Sequence, residues 1–325
     1  MVRDADVPSR SLRVASLLPA ATETVCALGQ RHALVGVSHE CDFPPEVVGL
    51  PVLTSSRLRS PESSAAIDRD VRELVRDSLA IYEVDVEALR RADPDLILTQ
   101  DLCEVCAVPL EAVEQAVRSL GRPDVRIVSL RPTRLGDIWE DIARVAEALG
   151  ARERGQELLD ALGQRVAAVA ERAARLPVRP KVLTIEWLDP VMVGGTWMPE
   201  LVELARGEPI AARAGEPAPT LTDDELAALA PDVVVFKPCG FTLERSGMEI
   251  ARIEDLVARM PWPAALEGEI FLADGNAYFN RPGPRIADSL EILAACIHGF
   301  EFADLAKQHV HAFTRLARHG RSGRR

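Results

Sequence analysis

The sequence predicts an α/β fold repeated in two halves, and three observations predict it. Short apolar runs alternate with segments of helical periodicity along nearly the whole chain, which is the pattern of helices packed on parallel strands. A long helical stretch separates the two halves. The third observation is a repeat: LRRADPDLILTQDLCEVC (89–106) is matched in outline by LAALAPDVVVFKPCGF (226–241), each a helix end, a Pro-Asp turn, an apolar strand and a polar loop with cysteine.

The elements follow in order. RVASLLP (13–19), ALVGVS (33–38), DLILTQ (95–100) and VRIVSL (125–130) are the strands of the first half. Residues 135–175 carry Ile138, Ile142, Val145 and Leu149, then Leu159, Leu162, Val166 and Val169, the spacing of an amphipathic helix. At 1.5 Å per residue this connector reaches up to about 60 Å, with a break expected at Gly150, and Pro177 and Pro180 end it. KVLTIEW (181–187), DVVVFKP (232–238) and EIFLADG (269–275) are the strands of the second half. The expected division is a lobe over 12–134, a helical connector over 135–176, a lobe over 177–305 and a basic, disordered tail over 306–325.

Composition narrows the function. With 325 residues, 47% of them hydrophobic, the chain is long enough for two folded domains. A formal net charge of −12 argues against a nucleic-acid partner, and the five arginines between Arg315 and Arg325 are expected to be a solvated end. No apolar run reaches membrane-spanning length. The N-terminus has no signal-peptide pattern, so a cytoplasmic location is expected as written, or a periplasmic or surface-exposed one if the start codon is misassigned. The six cysteines are then expected as reduced thiols or metal ligands.

In parallel α/β sheets ligands bind at the carboxyl ends of the strands, so the loops there hold the candidates. They contain His39, Cys41, Cys103, Cys106, Cys239, Trp187, Trp197, Tyr278, Phe279, Arg281 and Arg285. In a chain only 4% aromatic, four rings in the strand-end loops of one half point to a flat or apolar ligand. Cys103 and Cys106 form a C-x-x-C ahead of a helix, which suits a redox dithiol, half of a zinc site or part of an iron–sulfur set. If the loops converge, Cys41, Cys103, Cys106 and Cys239 make a four-thiolate site, with His39 as a substitute ligand; thiols in contact with a ligand are the alternative. Glu40, Asp42, Asp101, Glu104, Glu186 and Asp189 lie on the same loops and can do acid/base work or accept hydrogen bonds. Cys26 and Cys296 read as core residues, and His32, His298, His309, His311 and His319 as surface or structural ones. Serine-hydrolase, phosphate-loop and dinucleotide motifs are absent.

The order SLLPAATETVCALG, LVGVSHECDFPPEV, PDLIL, a helical connector and IFLADGNAYFNRPGPR resembles the iron-siderophore and vitamin B12 branch of the ABC-transporter substrate-binding proteins, over roughly residues 12–300. HECDFP, CEVCAV, EWLDP, PCGF and DGNAYFNRPGPR resemble its cobalamin-binding subgroup. The resemblance implies two Rossmann-like lobes with parallel-rich sheets, joined by a long rigid helix, with the ligand cleft between the lobes. It also implies a non-catalytic protein that binds a corrinoid or related metal chelate and is served by an ABC permease. On that basis Trp187, Tyr278 and Phe279 pack on the ring, and Asp42, Asn276, Asn280 and Arg281 bond its amide arms. His39 coordinates cobalt or, alternatively, caps a helix or supports a ligand-contacting neighbour next to Glu40, with Glu40 and Glu104 completing the contacts. The competing expectation is a cytoplasmic metalloprotein or enzyme with a zinc or iron–sulfur site built from the cysteines and His39.

Overall fold

The computed structural model describes residues 11–58, 63–76, 81–101, 109–267 and 269–316. Two compact units emerge. The first takes residues up to 57, 80–130 and 143–155, and the second takes 58–79, 131–142 and 156 onward.

The first unit is built on β1 (Val14–Ser16), β2 (Leu34–Val37), β5 (Leu96–Gln100) and β6 (Arg126–Leu130), with β3 (Thr54–Ser56) and β4 (Tyr82–Val84) as a separate antiparallel pair. The four-stranded sheet runs β2-β1-β5-β6 and is wholly parallel. All five residues of β5 are buried, the apolar Leu96, Ile97 and Leu98 and the polar Thr99 and Gln100 alike, because a central parallel strand is covered on both faces.

The second unit has β7 (Lys181–Leu188), β8 (Val191–Val193), β9 (Glu208–Pro209), β10 (Val233–Phe236), β11 (Ile270–Ala273) and β12 (Phe313–Arg315). Its order is β12-β11-β10-β7-β8, with β9 added alongside β7; β12 and β8 are antiparallel. Leu183, Ile185, Val234, Phe236, Ile253, Leu256, Leu272 and Trp262 make its core.

The Pro-Asp repeat has a structural counterpart in each unit. Asp95 donates its amide to the Arg13 carbonyl at 2.8 Å and accepts the Arg13 amide on its carboxylate at 3.0 Å. Asp232 does the same with Lys181, at 2.8 Å in both directions. Each aspartate thus sets the register of the strand it opens against its neighbour. Asp95→Ala is expected to cost about 1–2 kcal/mol and the more exposed Asp232→Ala about 1 kcal/mol, read from urea midpoints at constant m-value.

The connector forms two helices, Leu135–Ala148 and Arg152–Ala174, with the expected break at Gly150, whose φ of 67° only glycine adopts at little cost. The second helix begins in the first unit and runs on in the second.

Two features depart from the linear pattern. The helix Ser64–Arg76 groups with the second unit although it falls between β3 and β4 in sequence. Glu249, 6% exposed, explains this: its carboxylate accepts the Ser64 amide at 2.7 Å and the Ser64 hydroxyl at 3.0 Å, capping the helix start. The expected disordered tail is also corrected over residues 306–316. There the helix Ala303–Gln308 is followed by β12, which completes the edge of the sheet against β11, and Asp274 donates its amide to the Ala312 carbonyl at 2.8 Å. Residues 317–325 lie outside the described residues.

Candidate functional site

The loop after β2 carries four of the predicted residues, and side chains from β3 and β4 orient them. Thr54 is the hub. Its hydroxyl donates to Ser38 Oγ at 3.1 Å, accepts the His39 amide at 3.1 Å and meets His39 Nδ1 at 2.7 Å. Because the single hydroxyl proton is directed to Ser38, the contact with the ring requires Nδ1 to carry the imidazole proton. The neutral ring therefore presents Nε2 as a lone pair, and Glu40 Oε1 lies 4.0 Å from it. The Tyr82 hydroxyl donates to Glu40 Oε1 at 3.0 Å while its ring sits 5.1 Å from the imidazole. Burial lowers the His39 pKa below its ordinary value, with the Glu40 charge opposing that shift.

Cys41 is held on the same loop. The Thr22 hydroxyl donates to Ser16 Oγ at 2.8 Å and Ser16 donates to the Leu18 carbonyl, so Thr22 accepts from the Cys41 thiol at 3.1 Å. This chain of hydroxyls ties the sulfur to the start of the helix Pro19–Ala27 as a hydrogen-bond donor. Asp42 is exposed beside it.

In the second unit the loops after β7, β10 and β11 are bonded to one another. Ile185 pairs in register with Phe236, so the next residues, Glu186 and Lys237, are cross-strand neighbours. Lys237, wholly buried, donates to Glu186 Oε2 at 3.0 Å. Trp187 alternates to the other side and meets the Phe241 ring edge-on at 5.5 Å. Cys239 donates its amide to the Glu186 carbonyl at 2.9 Å, and Asn276 donates its amide to the Phe241 carbonyl at 3.0 Å. Gly275 is required where it stands, since a Cβ there would lie 2.0 Å from the Pro238 carbonyl oxygen. Asp274 caps the turn by accepting the Ala277 amide at 2.7 Å.

The aromatic and basic residues of DGNAYFNRPGPR divide into two groups. Asn276 and Tyr278 are half-buried, and the Tyr278 hydroxyl lies 3.0 Å from His311 Nε2 with Arg285 over its ring at 5.5 Å. Phe279, 1% exposed, is a core side chain, which corrects the expectation that its ring packs on a ligand; Trp197 is likewise buried. Arg281, 5% exposed, donates to Asn276 Oδ1 at 3.0 Å, and Asn280 donates to the Gly275 carbonyl at 2.8 Å. These two brace the loop from within, so Arg281 carries a structural load that a solvent-facing loop arginine would not.

Cys103, Glu104 and Cys106 lie outside the described residues. Cys296 is buried, and desolvation pushes its thiol well above the ordinary range; half-buried Cys26 is pushed up to about 11 for the same reason. Among the described residues, which leave out Cys103 and Cys106 of the expected cysteine set, one group of side chains brings its ligating atoms close enough to share a metal. It is Asp288, Glu291 and His309. There Arg165 bonds Glu291 at 2.9 Å and pairs with Asp288, while His309 bonds Glu291 at 2.7 Å, so a guanidinium already supplies the positive charge. Thr54, Tyr82, Lys237 and Glu249 are the influential residues that strand-by-strand inspection passed over.

The family described as periplasmic binding protein matches residues 14–277. A cobalamin-binding protein of Halobacterium salinarum is 24% identical over 291 residues, covering 88% of this chain and 69% of its own. A vitamin B12-binding protein of Vibrio cholerae is 23% identical over 285 residues, covering 87% and 88% respectively. The periplasmic heme-binding protein RhuT from Roseiflexus sp. RS-1, solved in apo form, superposes with a TM-score of 0.66 at 25% identity, covering 91% of this chain and all of that one.

Proposed function

The chain belongs to the periplasmic binding protein family, and we propose that it is a non-catalytic binding protein for a corrinoid, which it passes to an ABC permease at the cell surface or in the periplasm. The observation that carries this reading is the His39 tautomer: a neutral imidazole, fixed through Thr54, that offers Nε2 to the metal of a chelate. The cobalamin and vitamin B12 binders among the relatives support the same ligand class. Glu40 and Asp42, on the same loop as His39, supply polar contacts to the ligand. The heme-binding neighbour supports a second reading, an iron porphyrin held through the same imidazole. Among the described residues no helix is long and apolar enough to cross a membrane.

Titration with aquocobalamin is expected to give one-to-one binding and a shift of the visible bands as imidazole replaces water on cobalt. His39→Ala is expected to abolish the shift and weaken binding about tenfold or more, an energy of about 1.4 kcal/mol per decade. Proton and metal compete for Nε2. Because the His39 pKa lies below its ordinary value, the decline in affinity on acidification should set in at a lower pH than for an ordinary histidine. Absence of corrinoid binding, hemin binding more tightly than corrinoid, or a His39→Ala variant with unchanged spectra would overturn the corrinoid reading.

A further inference from the structure

We propose that the Glu186–Lys237 pair is a ligand-facing acceptor that selects amide-bearing rims over carboxylate-bearing ones; this rests on the corrinoid reading and sharpens it. The pair sits at the carboxyl ends of β7 and β10, on the same edge of the sheet as the loop holding Asn276. Its two oxygens are not equivalent. Oε2 is engaged by Lys237 at 3.0 Å, and Oε1 has no hydrogen-bond partner among the described residues. The Glu186 side chain keeps 22% of its surface exposed, whereas Lys237 keeps none.

The asymmetry decides what the site recognises. An incoming group reaches a carboxylate oxygen that can only accept and never reaches the ammonium that holds it. A rim amide donates its N–H to Oε1 and completes the set. A rim carboxylate has nothing to donate, and the two acceptors would face each other unpaired at a partly desolvated position. Lys237 is a positioning residue: it is wholly buried, and its Nζ lies so near Gly194 that a Cβ there would stand 3.3 Å from it. Corrinoids carry amide arms and heme carries carboxylates, so the pair separates the two ligand classes named among this chain's relatives and neighbours.

The test uses the full chain and three probes: cobalamin, a cobalamin whose rim amides have been hydrolysed to carboxylates, and hemin. The wild type is expected to prefer the amide form by about tenfold over its carboxylate derivative. Glu186→Gln, which keeps the shape and a carbonyl for Lys237 but gains a donor, is expected to reduce that preference by at least about fivefold, chiefly by improving the carboxylate probe. Lys237→Met should lower affinity for the amide form, and Lys237→Arg should restore part of it; equal melting temperatures of wild type and Glu186→Gln exclude a folding effect. If corrinoid binds without any amide preference, or if Glu186→Gln shifts the ratio by less than about fivefold, the proposal fails while the corrinoid reading stands. If hemin binds more tightly than either corrinoid, or no probe binds, both fall.

Discussion

Trp262→Ala is expected to destabilise the second unit by about 3–5 kcal/mol, the range for removing a large ring from a packed core. Trp262 is wholly buried among Leu226, Leu256 and Ile270, and its indole N–H donates to the Leu226 carbonyl at 2.9 Å. Cavity and lost hydrogen bond therefore act together. Trp262→Phe separates them: it retains most of the volume and removes the indole donor, while the Leu226 carbonyl keeps the Leu229 amide at 3.1 Å, for an expected loss of about 1 kcal/mol. Denaturant unfolding followed by far-UV circular dichroism measures both, and a Trp262→Ala loss below 1 kcal/mol would contradict the packing described.

Glu249→Ala is expected to cost about 2–4 kcal/mol, the second largest effect. The substitution uncaps the helix Ser64–Arg76 and removes the carboxylate that Arg245 and Arg252 approach at 3.6 and 3.7 Å. The lower end of the buried-pair range is the relevant one, because both arginines are partly exposed and water can solvate what the carboxylate leaves behind. Glu249→Gln keeps an acceptor for the Ser64 amide and should cost about half as much. Hydrogen exchange sharpens the test: amides of the first turn of that helix should lose protection in Glu249→Ala far more than those of β10. Uniform loss across the second unit would show that Glu249 supports the whole fold instead of docking one helix.

Both experiments bear on features that differ in how far local sequence expresses them. Trp262 lies just beyond the helix Ile250–Arg259, whose buried Ile253, Leu256 and Val257 follow helical spacing, so its place near the core follows from neighbours in the chain. The tie between Ser64 and Glu249 spans 185 residues, and nothing in either neighbourhood marks it. The site shows the same division. That His39 and Cys41 follow a strand, Cys239 and Asn276 follow two others, and Trp187 lies at the end of a fourth, was legible from apolar runs ending in polar loops. What orients them was not. The His39 tautomer depends on Thr54, and the free oxygen of Glu186 depends on Lys237, which the strand pattern counted as part of the strand 232–238 and gave no role.

By itself the sequence determined the α/β class, seven of the strands, the break at Gly150 and the two Pro-Asp turns, because each is written in spacing or turn chemistry over a few consecutive residues. Only the tertiary structure decided which ring or cation is presented and which is buried. Phe279 and Arg281 lie in a segment that reads as a polar loop, yet they turn inward, since the constraint at Gly275 and the bonds from Asn276 and Asn280 fold that loop against β10. Likewise residues 306–316 are ordered because β11 needs a partner on its outer edge, a demand made by a strand some forty residues away. Local periodicity records what a segment forms. Burial and hydrogen-bond satisfaction are settled between segments, and those pairings exist only once the chain has folded.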